Sequence, residues 1–193
     1  MKRAFIIHQW GSNPDKDFYP WLKKELENNN FEVRIPEMPE TDVPKIELWV
    51  PYLEKAIGQI DGDTYLIGHS VGCQTILRYL ETLSSETKIG GVIFVAGWFK
   101  LQNLESEEEI LAKPWLEIPI DFQKIKTFGA NSKFRAILSD NDRYGPLEEN
   151  KEIFENMVGA TVRVESGKGH FTEDDNITEV PEVLEELLKM ANE

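Results

Sequence analysis

The stretch "YLIGHSVGCQTILRYL" (residues 65–80) decides the fold. An apolar, β-rich run ends at Gly68, a polar Ser70 stands between that glycine and Gly72, and an amphipathic helical segment follows at once. A strand that passes straight into a helix through a glycine-flanked turn is half of a parallel α/β unit. The rest of the chain should therefore alternate in the same way.

Working outward, it does. Upstream, "RAFIIH" (residues 3–8) reads as a first strand and "FYPWLKKELENNN" as a helix stopped by the asparagine run. "FEVRIP" (residues 31–36) reads as a second strand closed by proline, and "VPKIELWVPYLEKAIGQI" as the next helix, with Pro51 expected near the start of its regular part. Downstream, "IGGVIFVAG" (residues 89–97) is a continuously apolar fourth strand of the kind buried on both faces. "KFRAILSD" is the fifth strand, with "PLEENKEIFENM" its helix. "ATVRVESG" is the sixth strand, and the last helix runs over about residues 180–190. In a doubly wound sheet of this kind the first strand lies beside the third, and loops leaving their carboxyl ends form a crevice. That places "HQWGSN" opposite "GHSVG".

One segment breaks the rhythm. Residues 98–127 mix acidic and apolar side chains over a length that reads either as a functional lid or as an ordinary crossover helix with a ragged entry. Otherwise residues 1–193 form one domain, long enough at 40% apolar content for a single well-filled core. No run approaches the ~18 apolar residues of a membrane span, and the N-terminal apolar run is too short for a signal peptide. A single cysteine, Cys73, excludes an internal disulfide and fits a reducing compartment, so a soluble cytoplasmic protein is expected. A net charge of −14, from 35 acidic and 21 basic residues, disfavours nucleic acid and anionic membrane surfaces as partners.

G-x-S-x-G between a strand and a helix is the nucleophile elbow: the serine sits on a strained turn that lifts its hydroxyl clear of the backbone. The helix N-terminus behind it favours an oxyanion. A serine hydroxyl needs a base, and the base needs an acid to orient it. Of three histidines, His69 lies inside the elbow, pointing away from Ser70, and His8 ends the first strand and shapes its loop. His170, in the glycine-flanked loop "GKGHF", is free to swing over the elbow. The order serine, acid, histidine along the chain leaves Asp140 and Asp142 as candidate acids. Cys73, off the apex of the elbow, reads as a small buried side chain. No phosphate-binding loop, dinucleotide fingerprint or metal-ligand spacing occurs, so no cofactor or metal is expected.

Taken together, "FIIHQWGS", "YPWLKKELE", "IPEMPE", "LIGHSVGCQTILRYLE", "SDNDRYGP" and "GKGHF" resemble the retinoblastoma-binding protein 9 and YdeN family of small serine hydrolases, over essentially the whole chain. The resemblance implies an α/β-hydrolase-like three-layer sandwich: a six-stranded parallel sheet of order 2-1-3-4-5-6 with helices on both faces. It also implies a triad of Ser70, Asp142 and His170, with "DRYGP" matching the family's D-x-x-V-P pattern except for Gly145 in place of valine. Relatives carry His-Gly or Pro-Gly after the first strand, whereas this chain has His8-Gln9. The expected oxyanion donors are backbone N–H groups of Val71 and of the Gln9 to Trp10 turn.

The expected activity is hydrolysis of small carboxylic esters through an acyl-enzyme on Ser70. Trp98, Phe99 and Trp115, with Leu101 and Leu104, are candidates for an acyl pocket, and equally for the face by which their segment covers the sheet; Trp10 reads equally as a wall of that pocket and as core. The acidic residues of that segment disfavour an anionic substrate. Two other readings share the fold: acyl transfer or thioester cleavage by the same triad, and a protein-binding module with no catalysis.

Overall fold

The structure, a computed structural model, describes residues 1–129 and 133–192. Six strands, β1 (Arg3–Ile7), β2 (Glu32–Arg34), β3 (Thr64–His69), β4 (Gly91–Val95), β5 (Phe134–Ser139) and β6 (Thr161–Glu165), form one sheet of order β2-β1-β3-β4-β5-β6. Every neighbouring pair is parallel. The helices between them are α1 (Tyr19–Asn28), α2 (Ile46–Ile57), α3 (Val71–Thr82), α4 (Ser106–Glu117), α5 (Phe122–Gly129), α6 (Leu147–Ile153) and α7 (Pro181–Asn192).

The period of two along each strand builds two cores. Phe5 and Ile7 of β1, with Leu66, Val92, Phe94, Phe134 and Ala136, pack under α2, α3 and α5. Their alternates Ala4, Ile6, Ile67, Ile93 and Ile137 pack under α1 and α7. Some element ends depart from expectation. β2 keeps only three residues of its predicted six, as an edge strand paired on one side. Pro51 lies inside α2 rather than near its start, at an exposed position where it removes a single intrahelical hydrogen bond. The helix after β5 widens into a π turn over Phe154–Val158.

Residues 98–127 contain α4 and most of α5, and α3 ties them down. The buried Arg78 donates from Nη2 to the carbonyls of Trp115 and Ile118, both at 2.9 Å. Trp115 Nε1 donates to Pro44 O at 2.9 Å, and its ring meets Trp49 edge-on. Trp115 thus belongs to the core of the sheet's α3 face.

The strand order reverses around β1, whose neighbours are β2 and β3. The register sets Ile7 opposite Gly68, so β1 and β3 end level and their loops open side by side. A crevice at the carboxyl ends of these strands follows from that topology.

Candidate active site

Ser70 stands between β3 and α3 at φ 53°, ψ −118°, a backbone conformation that costs about 1–3 kcal/mol for a residue with a Cβ. The turn is held on both sides: Ser70 N–H donates to Val95 O at 3.0 Å and Cys73 N–H to Ser70 O at 2.9 Å. Both flanking glycines are steric necessities. A Cβ on Gly72 would lie 2.3 Å from Ile7 O, and one on Gly68 2.7 Å from Cys73 N, because α3 passes directly over β1 and over its own entry. Val71 is the first residue of α3, so its N–H has no intrahelical acceptor and is left at the foot of Ser70.

His170 arrives from the loop after β6, which side chains at the end of β5 and in the loop after it hold in place. Asp140 Oδ1 accepts from Gly167 N–H at 2.8 Å, Ser139 Oγ from Lys168 N–H at 3.0 Å, and Asn141 Oδ1 from Gly169 N–H at 2.7 Å. Asp175 Oδ2 accepts the N–H of His170 itself at 2.8 Å. The same loops join Asp142 to the histidine, with Oδ2 2.8 Å from His170 Nδ1. Of the two candidate acids, Asp142 faces the imidazole and Asp140 fastens the loop that carries it. Burial alone would raise the Asp142 pKa. The His170 ring and the N–H groups of Tyr144 and Gly145 outweigh it and hold the carboxyl below its ordinary value. Since the carboxylate accepts, Nδ1 of His170 carries a proton, and in the neutral ring it is Nε2 that holds the free lone pair.

Ser70 and His170 face one cavity of about 170 Å³, lined also by Gln9, Trp10, Trp98, Leu101, Leu104, Glu108 and Tyr144. Of the aromatic residues expected in an acyl pocket, only Trp98 and Trp10 reach this cavity. Phe99 packs on Phe122 and Phe154, and Trp115 on Trp49, so both belong to the α3 face of the core. Tyr144, edge-on to the His170 ring at 5.2 Å, and Glu108 complete the wall. Both lie on segments that the sequence brings to the site, Tyr144 beside Asp142 and Glu108 within residues 98–127, but nothing local marks which of their side chains face Ser70.

A buried polar network backs the site. The Gln9 N–H donates to Tyr19 Oη at 3.0 Å, and Tyr19 Oη lies 2.7 Å from His69 Nδ1. His69 Nε2 lies 2.8 Å from His170 O, and since a carbonyl only accepts, the proton is on Nε2. Nδ1 then accepts from the Tyr19 hydroxyl, and the whole chain of bonds has one direction. The Gln9 N–H is therefore committed to Tyr19, which removes it from the expected oxyanion donors and leaves those of Val71 and Trp10. Burial, with His170 second, lowers the His69 pKa to about 4. His8 is likewise neutral: Nε2 accepts from Met38 N–H at 3.1 Å, so Nδ1 donates to Gln9 O at 2.9 Å. Burial lowers its pKa too. Burial pushes the Cys73 thiol far up, so it stays protonated, with Sγ 3.2 Å from Gly68 O. Among the described residues no three His, Cys, Asp or Glu side chains cluster to hold a metal ion.

The sequence model of the family described as serine hydrolase matches residues 4–189. This chain belongs to the serine hydrolase family. It is 33% identical to YdeN of Bacillus subtilis over 188 residues, 96% of this chain and 94% of that one. It is 25% identical to the serine hydrolase RBBP9 of Rattus norvegicus over 179 residues, covering 90% and 88% of the two chains. The crystal structure of the B. subtilis ydeN product superposes with TM-score 0.90 at 28% identity over the whole of both chains. Est1E from Butyrivibrio proteoclasticus, at 13% identity, shares the fold with TM-score 0.73 over 100% of this chain and 89% of its own. Serine hydrolases of this family thus share with the chain its doubly wound α/β-hydrolase sheet, and the fold expectation holds as stated.

Proposed function

We propose that this serine hydrolase cleaves small carboxylic esters through an acyl-enzyme on Ser70. The observation that carries the reading is the 2.8 Å contact of Asp142 Oδ2 with His170 Nδ1, on a histidine that shares one small cavity with Ser70. His170 Nε2 takes the proton of Ser70 as Oγ attacks the ester carbonyl, and Asp142 orients the ring and stabilises its positive form. The N–H groups of Val71 and Trp10 receive the oxyanion. The protonated imidazole then passes its proton to the departing alcohol, and water, activated by the same base, releases the acid.

The size of the cavity supports a short acyl group, since an apolar cavity of roughly 150 Å³ accommodates benzene. Leu101, Leu104 and Trp98 supply the apolar wall, and Glu108 at its rim disfavours anionic acyl chains. No described helix is long and apolar enough to cross a membrane. With one buried cysteine, the protein suits a reducing compartment, and we place it in the cytoplasm with a small-molecule ester as its partner.

The test is Ser70→Ala beside wild type, treated with a fluorophosphonate and offered p-nitrophenyl acetate, butyrate and palmitate. Wild type is expected to be labelled at Ser70 and to turn over the short esters best. Absence of Ser70-dependent labelling and turnover sinks the hydrolase reading. Turnover of palmitate matching that of acetate sinks the short-acyl reading.

A further inference from the structure

The nucleophile has a hydrogen-bond partner that the triad does not account for. Trp98 Nε1 lies 3.2 Å from Ser70 Oγ and donates to it, since an indole N–H has no other role. Both side chains are buried, Trp98 at 3% exposure.

The segment carrying Trp98 is built to hold that indole still. It leaves β4 through Ala96, at φ 46°, and Gly97, where a Cβ would lie 2.6 Å from Phe154 Cζ. Gln74 Nε2 then donates to Trp98 O at 2.5 Å. Beyond it the buried Asn150 takes the N–H groups of Phe99 and Lys100 on Oδ1, at 2.7 and 2.9 Å, and donates from Nδ2 to Lys100 O. Residues 98–100 are thus fastened to α3 and α6 by side chains, and the Trp98 indole N–H is aimed at one oxygen.

We infer that Trp98 is a fourth catalytic side chain, which sets the direction of the Ser70 hydroxyl and stabilises Oγ when it departs as a leaving group; this rests on the hydrolase reading above. A serine oxygen has one proton and two lone pairs. With the indole N–H on one lone pair, the proton is left for His170 Nε2 and the second lone pair for the substrate carbonyl, so the rotor is set before substrate arrives. In deacylation the tetrahedral intermediate breaks its bond between carbon and Oγ, and the electron pair returns to Oγ. His170 Nε2 delivers its proton there to restore the hydroxyl. During that step Oγ carries its greatest negative charge, and a donor already in place strengthens as the charge grows. In the acyl-enzyme between these steps Oγ is an ester oxygen and a poor acceptor, so the contact favours the reacting states over the resting intermediate.

The experiment replaces Trp98 with β-(3-benzothienyl)alanine, which keeps the bicyclic shape and puts sulfur where the N–H was, with Trp98→Phe as a second variant. Short-ester kcat and the rate of fluorophosphonate labelling are expected to fall roughly 10- to 100-fold in the isostere. KM should stay within about twofold, because the pocket wall is unchanged. Rates equal to or above wild type overturn the inference, as does a change confined to KM. An independent readout needs no turnover: the Trp98 indole proton, assigned by its loss in Trp98→Phe, is expected to move upfield in Ser70→Ala. An unmoved resonance removes the contact and the proposal with it. If wild type itself is never labelled at Ser70, the hydrolase reading fails first, a result distinct from an active enzyme indifferent to Trp98.

Discussion

Buried His69 makes the stability of this fold sensitive to mild acid. Its Nε2 proton is held by His170 O and its Nδ1 lone pair by the Tyr19 hydroxyl, so a second ring proton has to displace Tyr19. Burial first, and His170 second, lower its pKa from 6.5 to about 4. The unfolded chain binds that proton near 6.5, above the folded value, so between the two values it holds more protons than the fold does. The stabilisation is therefore complete above about pH 6.5 and is lost as pH falls toward 4. At about 1.36 kcal/mol per pH decade, this interval corresponds to roughly 3 kcal/mol, against a typical total of about 5–15 kcal/mol. His8, lowered by its own burial, adds to the slope with the same sign, whereas Asp142 acts only below the ordinary carboxylate range. Urea unfolding at about pH 7, 6 and 5 measures this for wild type and His69→Gln. Wild type should lose stability steadily over that range, and the variant, weaker at neutral pH, should give a shallower slope. A flat wild-type profile, or a variant that keeps the full slope, refutes the reasoning.

Asp142→Asn should lower ester turnover by up to roughly four orders of magnitude, because an amide no longer holds the imidazole with its proton on Nδ1. Asp140→Asn only loosens Gly167 and should cost about tenfold at most; a larger loss at Asp140, measured as kcat with p-nitrophenyl acetate, reverses the assignment. In Gly169→Ala a Cβ would stand 2.2 Å from the Asp175 carboxylate at φ +54°, so both melting temperature and turnover should fall, by at least about 2 kcal/mol in stability. An unchanged melting curve shows that the loop has room to shift. Tyr19→Phe leaves the Gln9 N–H and His69 Nδ1 buried without their partner, about 2–5 kcal/mol by denaturant unfolding; a loss under about 0.5 kcal/mol is incompatible with the network described.

What the sequence disclosed was whatever local backbone geometry forces. Ser70 could be found because α3 crosses β1 too closely for any residue but glycine at position 72, and that constraint leaves a mark in the chain. His170 was traceable for a related reason, since Gly167 and Gly169 both take positive φ. Alternation and continuous apolar runs disclosed a parallel sheet buried on both faces, whereas its strand order came from the common doubly wound arrangement and the family resemblance. The pocket wall left no such mark. An aromatic run cannot say on which side of α3 each ring falls, and Trp98 turned to the serine while Phe99 and Trp115 turned to the core. Tyr19 and His69 meet across distant segments of the chain, and no local pattern encodes that contact.

Gln9 stands where the family resemblance led a glycine to be expected, and the backbone there accommodates its side chain. The left-handed turn of the loop falls on Gly11, at φ 65°, and Gln9 is not among the described residues with positive φ, so its Cβ brings no backbone strain. Its side chain then does something glycine cannot: Nε2 donates at 2.9 Å to Asp17 Oδ2, which also accepts from Ser12 Oγ at 3.0 Å. With Tyr19 on its N–H and His8 on its carbonyl, Gln9 is held at three atoms. A trans peptide is planar, so fixing the Gln9 carbonyl on His8 turns the Trp10 N–H the opposite way, away from the buried His8 ring. The Gln9 side chain is thus one of the restraints on this turn, and under the proposed mechanism it helps to preorganise the Trp10 N–H as an oxyanion donor by hydrogen bonding.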